Sequence, residues 1–130
     1  MKILVVDDEE DVVSLFQQRF RRETRSGELS FLFAHSAQDA LELLGLPQQP
    51  SVVLILSDIN MPGMSGLELL RVLKERQSPS RVVMTTAYDN PEHKQTAGRY
   101  GADGYLTKPL DFAELRAELA RLGSAAEPAV

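Results

Sequence analysis

Three aspartates close apolar runs in this 130-residue chain: Asp7 and Asp8 follow residues 2–6, and Asp58 follows the run that begins at Val52. Two more runs end on groups of complementary chemistry, Thr85 and Thr86 after Val82, Thr107 and Lys108 after Gly104. Neighbouring parallel strands lie about 4.8 Å apart, so acids at the ends of adjacent strands share one coordination sphere. Three converging carboxylates raise one another's pKa values unless a hard divalent ion such as Mg²⁺ lies among them. Mg²⁺ takes one or two carboxylates, keeps waters and accepts a phosphate oxygen, which leaves one carboxylate for other work. With Lys108 as cation and Thr86 as hydroxyl donor, the set has partners for phosphoryl oxygens. A carboxylate beside the ion can then act as nucleophile and form an aspartyl phosphate. Asp58 is the candidate, because it is the single acid at its strand end and is followed by the turn formers Asn60, Pro62, Gly63 and Gly66.

The elements that must position these groups are legible as alternating patterns. Residues 2–6, 29–34, 52–56, 82–86 and 104–107 are short β-rich runs, suited to strands buried on both faces. Helical periodicity separates them. Val12, Phe16 and Phe20 predict a first helix. Ala37, Ala40, Leu41 and Leu44 predict a second, capped by Ser36 and stopped near Gly45 and Pro47. Leu67, Leu70 and Leu73 mark a third. A fourth starts at Asp89 or Asn90 before Pro91 and reaches about Arg99, and Leu115, Leu119 and Leu122 mark a fifth, capped by Asp111.

Five strand–helix alternations imply an α/β fold, a doubly wound five-stranded parallel sheet with five flanking helices. The flavodoxin-like strand order 2-1-3-4-5 brings Asp7, Asp8 and Asp58 together, whereas 3-2-1-4-5 would separate them by a strand. One domain is expected over residues 1–122. From Gly123 periodicity ends, so residues 123–130 read as a flexible tail or the start of a linker.

Composition narrows the function classes. There is no cysteine, which removes disulfides, thiolate metal sites and thiol nucleophiles. His35 and His93 sit in no ligand-spaced cluster. No apolar run approaches a membrane span, and the start of the chain does not read as a secretory signal, so a cytoplasmic protein is expected. The net charge of −5 argues against direct nucleic-acid binding. It resides in one run, Asp7 to Asp11, without which the chain carries 14 acidic and 14 basic side chains. Arg19, Arg21, Arg22 and Arg25 suit a solvated helix end better than a phosphate patch. Neither G-x-x-x-x-G-K-[ST] nor G-x-G-x-x-G follows the first strand.

Taken together these residues resemble the receiver domains of two-component response regulators, of which the single-domain chemotaxis regulator is the simplest form. The resemblance covers about residues 2–122 and rests on four segments in order: LVVDDE from Leu4, SDINMPGMSG from Ser57, MTTA from Met84 and GYLTKP from Gly104. It implies that Asp58 is the phosphoacceptor. It further implies Mg²⁺, with Mn²⁺ able to substitute, held by Asp8, Asp58 and the backbone carbonyl of Asn60, with Asp7 acting through a metal-bound water. Lys108, Thr86 and Ala87 would contact the phosphoryl group, Thr86 and Tyr105 would form the switch, and Asn60 and Tyr88 would tune the lifetime of the acyl phosphate. A cis peptide is expected at Lys108–Pro109. The implied donor is a sensor histidine kinase or phosphotransfer protein, and the implied output surface is the fourth helix, fifth strand and fifth helix, facing an unknown output domain or protein. Such a domain catalyses only its own phosphorylation and dephosphorylation. Ser57 and Leu110 depart from the pattern, where a larger apolar residue and a phenylalanine are frequent; neither touches the proposed chemistry.

Two other readings compete. A Mg²⁺-dependent aspartyl-phosphate phosphatase of the haloacid-dehalogenase type also uses an aspartate nucleophile, but wants D-x-D where Asp7 and Asp8 are adjacent, and needs a substrate cap. An unphosphorylated interaction module would leave the filled acceptor, metal and phosphoryl positions unexplained. Blander roles suit some residues: acids at 9–11 favour a helix N-terminus, and Tyr105 alone suits a half-buried strand.

Overall fold

The computed structural model describes residues 1–45 and 52–126. Five strands, β1 (Lys2–Val6), β2 (Ser30–Ala34), β3 (Leu54–Asp58), β4 (Arg81–Thr86) and β5 (Gly104–Thr107), form one parallel sheet in the order β2-β1-β3-β4-β5. The helical segments are α1 (Asp11–Arg19), α2 (Arg21–Arg25), α3 (Ala37–Leu44), α4 (Gly66–Glu75), α5 (Pro91–Arg99) and α6 (Phe112–Ala126).

Strand periodicity sorts the core into two layers. On β1, Ile3 and Val5 face one side while Leu4 and Val6 face the other, as alternating Cβ directions require. The first layer joins Val83, Leu54 and Leu106 to Phe16 and Phe20 and to Leu115, Leu119 and Leu122 of α6. The second joins Val82, Met84 and Ile55 to Ala37 and Ala40 of α3, Leu69, Leu70 and Leu73 of α4, and Ala97 of α5. Such burial on both faces is why the strands are near-continuous aliphatic runs.

Helix starts follow the expected caps. Ser36 accepts from the Asp39 amide at 3.0 Å and Ser65 from Glu68 at 3.2 Å. Asn90, not Asp89, caps α5, accepting from Glu92 at 2.9 Å with Pro91 in the first turn. Asp111 accepts from the Ala113 amide at 2.9 Å. Asn90→Ala is expected to cost about 1 kcal/mol, read as a lower midpoint in urea unfolding at unchanged slope.

The first predicted helix is interrupted. Phe20 leaves helical geometry at φ −111° and ψ 24°, and a short α2 follows, giving six helical segments instead of five. Side-chain packing explains the break: the fully buried Phe20 ring lies 5.2 Å from Phe31 and 5.8 Å from Phe112. Arg116 closes the junction from α6, donating to the Arg19 carbonyl at 2.6 Å with its guanidinium 4.7 Å above the Phe20 ring. β2 begins one residue later than expected and β3 two residues later, so that Asp58 is itself the last residue of its strand. α6 continues to Ala126, past Gly123, as two alanines with high helix propensity permit. Pro47 and residues 127–130 lie outside the described residues. Among the described residues no helix is long and apolar enough to cross a membrane.

Candidate functional site

The register sets the site. Val6 lies opposite Ser57 on β3, and Asp58 lies opposite Thr85 on β4, so the carboxyl ends of β1 and β3 present Asp7, Asp8 and Asp58 side by side. One carboxylate oxygen from each lies within 4.8 Å of the others. Asp7 and Asp58 are each only 6% exposed, while Asp8 is open to solvent. Lys108, brought in by the turn after β5, donates to Asp7 Oδ2 at 2.7 Å and to Asp58 Oδ2 at 3.2 Å. The Lys108–Pro109 peptide is cis, as expected.

These charges do not balance. Three carboxylates face one ammonium, all but Asp8 largely out of water. Burial pushes the Asp58 carboxyl above its usual range; Lys108 pulls it back and the Asp7 carboxylate pushes it up again. Burial also weighs against a charged Lys108, but its hydrogen bond to Asp7 and the fields of Asp58 and Asp7 outweigh that and raise its pKa. Both partners thus shift upward, Asp58 chiefly through burial and Lys108 through its two acidic neighbours. Oxygen donors in excess of cation charge, on rigid strand ends, fit a hard divalent ion.

Backbone groups hold Asp7 in ways its residue type does not announce. Its Oδ1 accepts from the Glu9 amide at 3.0 Å, and its carbonyl faces His35 Nδ1 at 3.3 Å. The Glu9 contact is an Asx-type turn, readable from an aspartate four residues before the first residue of α1. His35 had no such signal, since its place depends on β2 lying beside β1.

Other expected site residues spread around this centre. Asn60 is exposed two residues beyond Asp58, at the start of a turn in which Ile59 and Met61 are buried. Thr86 ends β4 fully buried, and its hydroxyl is committed to Tyr88: it donates to the Tyr88 carbonyl at 3.0 Å and accepts from the Tyr88 amide at 3.1 Å. Ala87 is exposed and the Tyr88 side chain is 71% exposed. Tyr105 is half-buried on β5, with Lys94 Nζ 5.9 Å from its ring centre and a buried hydroxyl that has no hydrogen-bond partner among the described residues. Burial raises the Tyr105 pKa, with the Asp89 carboxylate adding to it. The carboxylates and Lys108 are therefore assembled, while the Thr86 hydroxyl is held by its own loop.

Gly66 ties the acidic centre to α4. Its amide donates to the Ile59 carbonyl at 2.8 Å, and a Cβ built on it would fall on the Asp58 carbonyl. Only glycine lets the helix start this close to the strand end.

Comparison with known proteins agrees with this geometry. The response regulator receiver domain family matches residues 3–120. The chain is 38% identical over 119 residues to the DNA-binding transcriptional regulator NtrC of Proteus hauseri, covering 92% of this chain and 24% of that protein. It is 34% identical over 119 residues to the transcriptional regulatory protein CpxR of Escherichia coli K12, covering 91% of this chain and 47% of that one. The chain thus spans half or less of the length of these relatives. Among solved structures, the receiver domain of the Francisella response regulator 1452 superposes with a TM-score of 0.83 at 26% identity, covering 97% of this chain and 98% of that one. The response regulator TrrA of Thermotoga maritima, in complex with Mg²⁺ and BeF, superposes at 0.76 with 27% identity over 93% and 97% of the two chains. The family match decides against the dehalogenase reading left open by the residues. With its acidic triad at the switch point of a 2-1-3-4-5 sheet, the chain belongs to the response regulator receiver domains and is a phosphoacceptor, not an enzyme acting on a separate substrate.

Proposed function

We propose that Asp58 is the phosphoacceptor of this receiver domain and that a histidine kinase or phosphotransfer protein is its donor. The observation that carries the reading is the pairing of a buried, raised-pKa carboxylate with Lys108 inside an acidic triad. An Asp58 carboxylate oxygen attacks the phosphorus of a phosphohistidine, a P–O bond forms as the P–N bond breaks, and the imidazole leaves. Lys108 lies 3.2 Å from Asp58 Oδ2, placed to follow the negative charge onto the phosphoryl oxygens.

Asp8, Asp58 and the Asn60 carbonyl are the proposed Mg²⁺ ligands, with Asp7 reaching the ion through water. When bound, Mg²⁺ supplies positive charge that offsets the phosphoryl oxygens. That TrrA forms a complex with Mg²⁺ and BeF supports Mg²⁺ as the ion. Asp8 is exposed and has no ion-pair partner among the described residues, so its removal leaves packing intact. Asp8→Ala is expected to weaken Mg²⁺ binding by about tenfold or more while the melting temperature in chelator changes little. Titration calorimetry showing unchanged affinity would remove Asp8 from the ligand set.

Phosphorylation then competes for Thr86. To hydrogen-bond the new phosphoryl group, its hydroxyl must release the Tyr88 backbone, which frees the loop before α5. Tyr105, with its orphaned hydroxyl beneath α5, is the proposed second half of the switch, altering the surface of α5, β5 and α6. Residues 1–122 are the proposed receiver unit. Asn60 and Tyr88 flank the acceptor and are proposed to set the acyl-phosphate lifetime.

The test is incubation with Mg²⁺ and acetyl phosphate, followed by intact mass. One acid-stable, base-labile phosphoryl group is expected, and none with the metal chelated. No uptake by the folded, Mg²⁺-loaded chain would refute the reading.

A further inference from the structure

Ser57 is a hydroxyl in an apolar wall. It is 1% exposed on β3, and alternation along the strand turns it to the same face as Ile55, toward the layer packed against α3, α4 and α5. Its register partners, Val6 on β1 and Met84 on β4, both belong to that layer. A larger apolar side chain would bury more area there. In sequence Ser57 stands apart from the proposed chemistry; in the structure its hydroxyl donates to the carbonyl of the next residue, Asp58, at 3.1 Å.

That carbonyl lies where the sheet no longer serves it. Successive residues of a strand direct their backbone groups to opposite neighbours, and the Ile59 amide donates to Thr85 of β4 at 2.9 Å, so the Asp58 backbone faces β1. The pairing of β1 with β3 stops at Val6 and Ser57, one residue short of Asp58. Among the described residues no backbone amide donates to the Asp58 carbonyl, and the Ser57 hydroxyl is its donor. Gly66 closes the other side, where a Cβ would fall on the same oxygen. A buried carbonyl without a donor is costly, so the hydroxyl fixes the plane of the Asp58–Ile59 peptide. That plane sets the direction of the Asp58 side chain on one side. On the other it sets the turn to Asn60, whose carbonyl is a proposed Mg²⁺ ligand.

We propose that Ser57 is a positioning residue for phosphoryl transfer: its hydroxyl, by holding the Asp58 carbonyl, keeps the Asp58 carboxylate aligned with Lys108 and with the turn at Asn60. The proposal rests on Asp58 being the acceptor and adds a residue that does not itself meet the phosphoryl group. Small misplacements are enough, since an error of about 1 Å at a reacting group costs up to about a hundredfold in rate.

The test is the rate of phosphoryl uptake from acetyl phosphate at saturating Mg²⁺, followed by intact mass, in the wild type, Ser57→Ala, Ser57→Thr and Ser57→Val. Threonine and valine add the same bulk and differ in the hydroxyl, so their ratio isolates the hydrogen bond from packing. Ser57→Ala is expected to react about tenfold more slowly than the wild type, and Ser57→Val about tenfold more slowly than Ser57→Thr. Circular dichroism melts fix a temperature at which each chain is fully folded, so that lost stability does not slow uptake. If either larger variant does not fold, the comparison of Ser57→Ala with the wild type decides. Ser57→Ala reacting at the wild-type rate, or Ser57→Thr and Ser57→Val reacting equally fast, overturns the proposal and leaves Asp58 as the acceptor. A folded wild type that takes up no phosphoryl group overturns the reading of Asp58, and the role of Ser57 with it.

Discussion

Asp58→Asn is expected to take up no phosphoryl group from acetyl phosphate under conditions in which the wild-type chain takes up one. Asparagine keeps the shape of the side chain at the end of β3 but has no anionic oxygen to attack phosphorus. A second consequence concerns stability. Burial raises the Asp58 pKa above the usual 3.8 despite Lys108. Between 3.8 and that raised value the folded chain holds a proton that the unfolded chain has released, so stability falls as pH rises through this window. At neutral pH ionised Asp58 is a standing cost, relieved by a counter-ion or by loss of the charge. Metal-free Asp58→Asn is therefore expected to melt about 2–6 °C above the wild type at pH 7, with the gap closing below pH 3.8. Mg²⁺ is expected to stabilise the wild type more than the variant. A variant that melts lower than the metal-free wild type at pH 7 would contradict the account of Asp58 as a strained charge; one that still gained an acid-stable phosphoryl group would remove Asp58 as acceptor.

Gly66→Ala is expected to damage both stability and phosphorylation. The added methyl would strike the Asp58 carbonyl and approach the Ile59 Cα to 2.9 Å, and both obstacles are backbone. Relief requires moving α4 away from β3, which breaks the 2.8 Å bond from the Gly66 amide to Ile59 and shifts the turn that follows the acceptor. A loss of about 3 kcal/mol or more is expected from urea unfolding, with phosphoryl uptake reduced at least about tenfold in chain that still folds. Gly63→Ala is the control. Gly63 has φ +78° but open space around it, so alanine there costs only backbone strain, about 1 kcal/mol, and leaves the acceptor where it is. Equal effects from the two substitutions would mean that close approach at Gly66 is unimportant.

The carboxylates could be read from the chain because each is coupled to a strand end, and strand ends are marked by an abrupt change from aliphatic to acidic residues. Once the strand order is 2-1-3-4-5, Asp7, Asp8 and Asp58 have nowhere to go but together. Thr86 shows the limit. Its residue type and position were legible, but its present partner is a backbone two residues away, set by how the loop folds back after β4. The Phe20 break was invisible for a related reason. Helical periodicity registers that Phe20 is apolar and on the inner face, while the rings of Phe31 and Phe112 that draw it out of the helix come from distant segments. Gly66 stood among turn formers by composition; its necessity is visible only against the Asp58 carbonyl.

The two layers of the core differ in the side chains that build them. All five phenylalanines of the chain, Phe16, Phe20, Phe31, Phe33 and Phe112, pair edge to face, tilted or stacked in the layer under α1 and α6. A planar ring packed among others has few alternative positions. Across the sheet, α3 and α5 rest on Ala37, Ala40 and Ala97, with the thioethers of Met61 and Met84 filling the irregular gaps. Small side chains and soft sulfur contacts can slide without opening voids. If phosphorylation displaces Thr86 as proposed, the aromatic side would resist the movement more than the alanine-lined side. The sheet would then work like a leaf spring clamped along its aromatic face, with α5 taking up the movement.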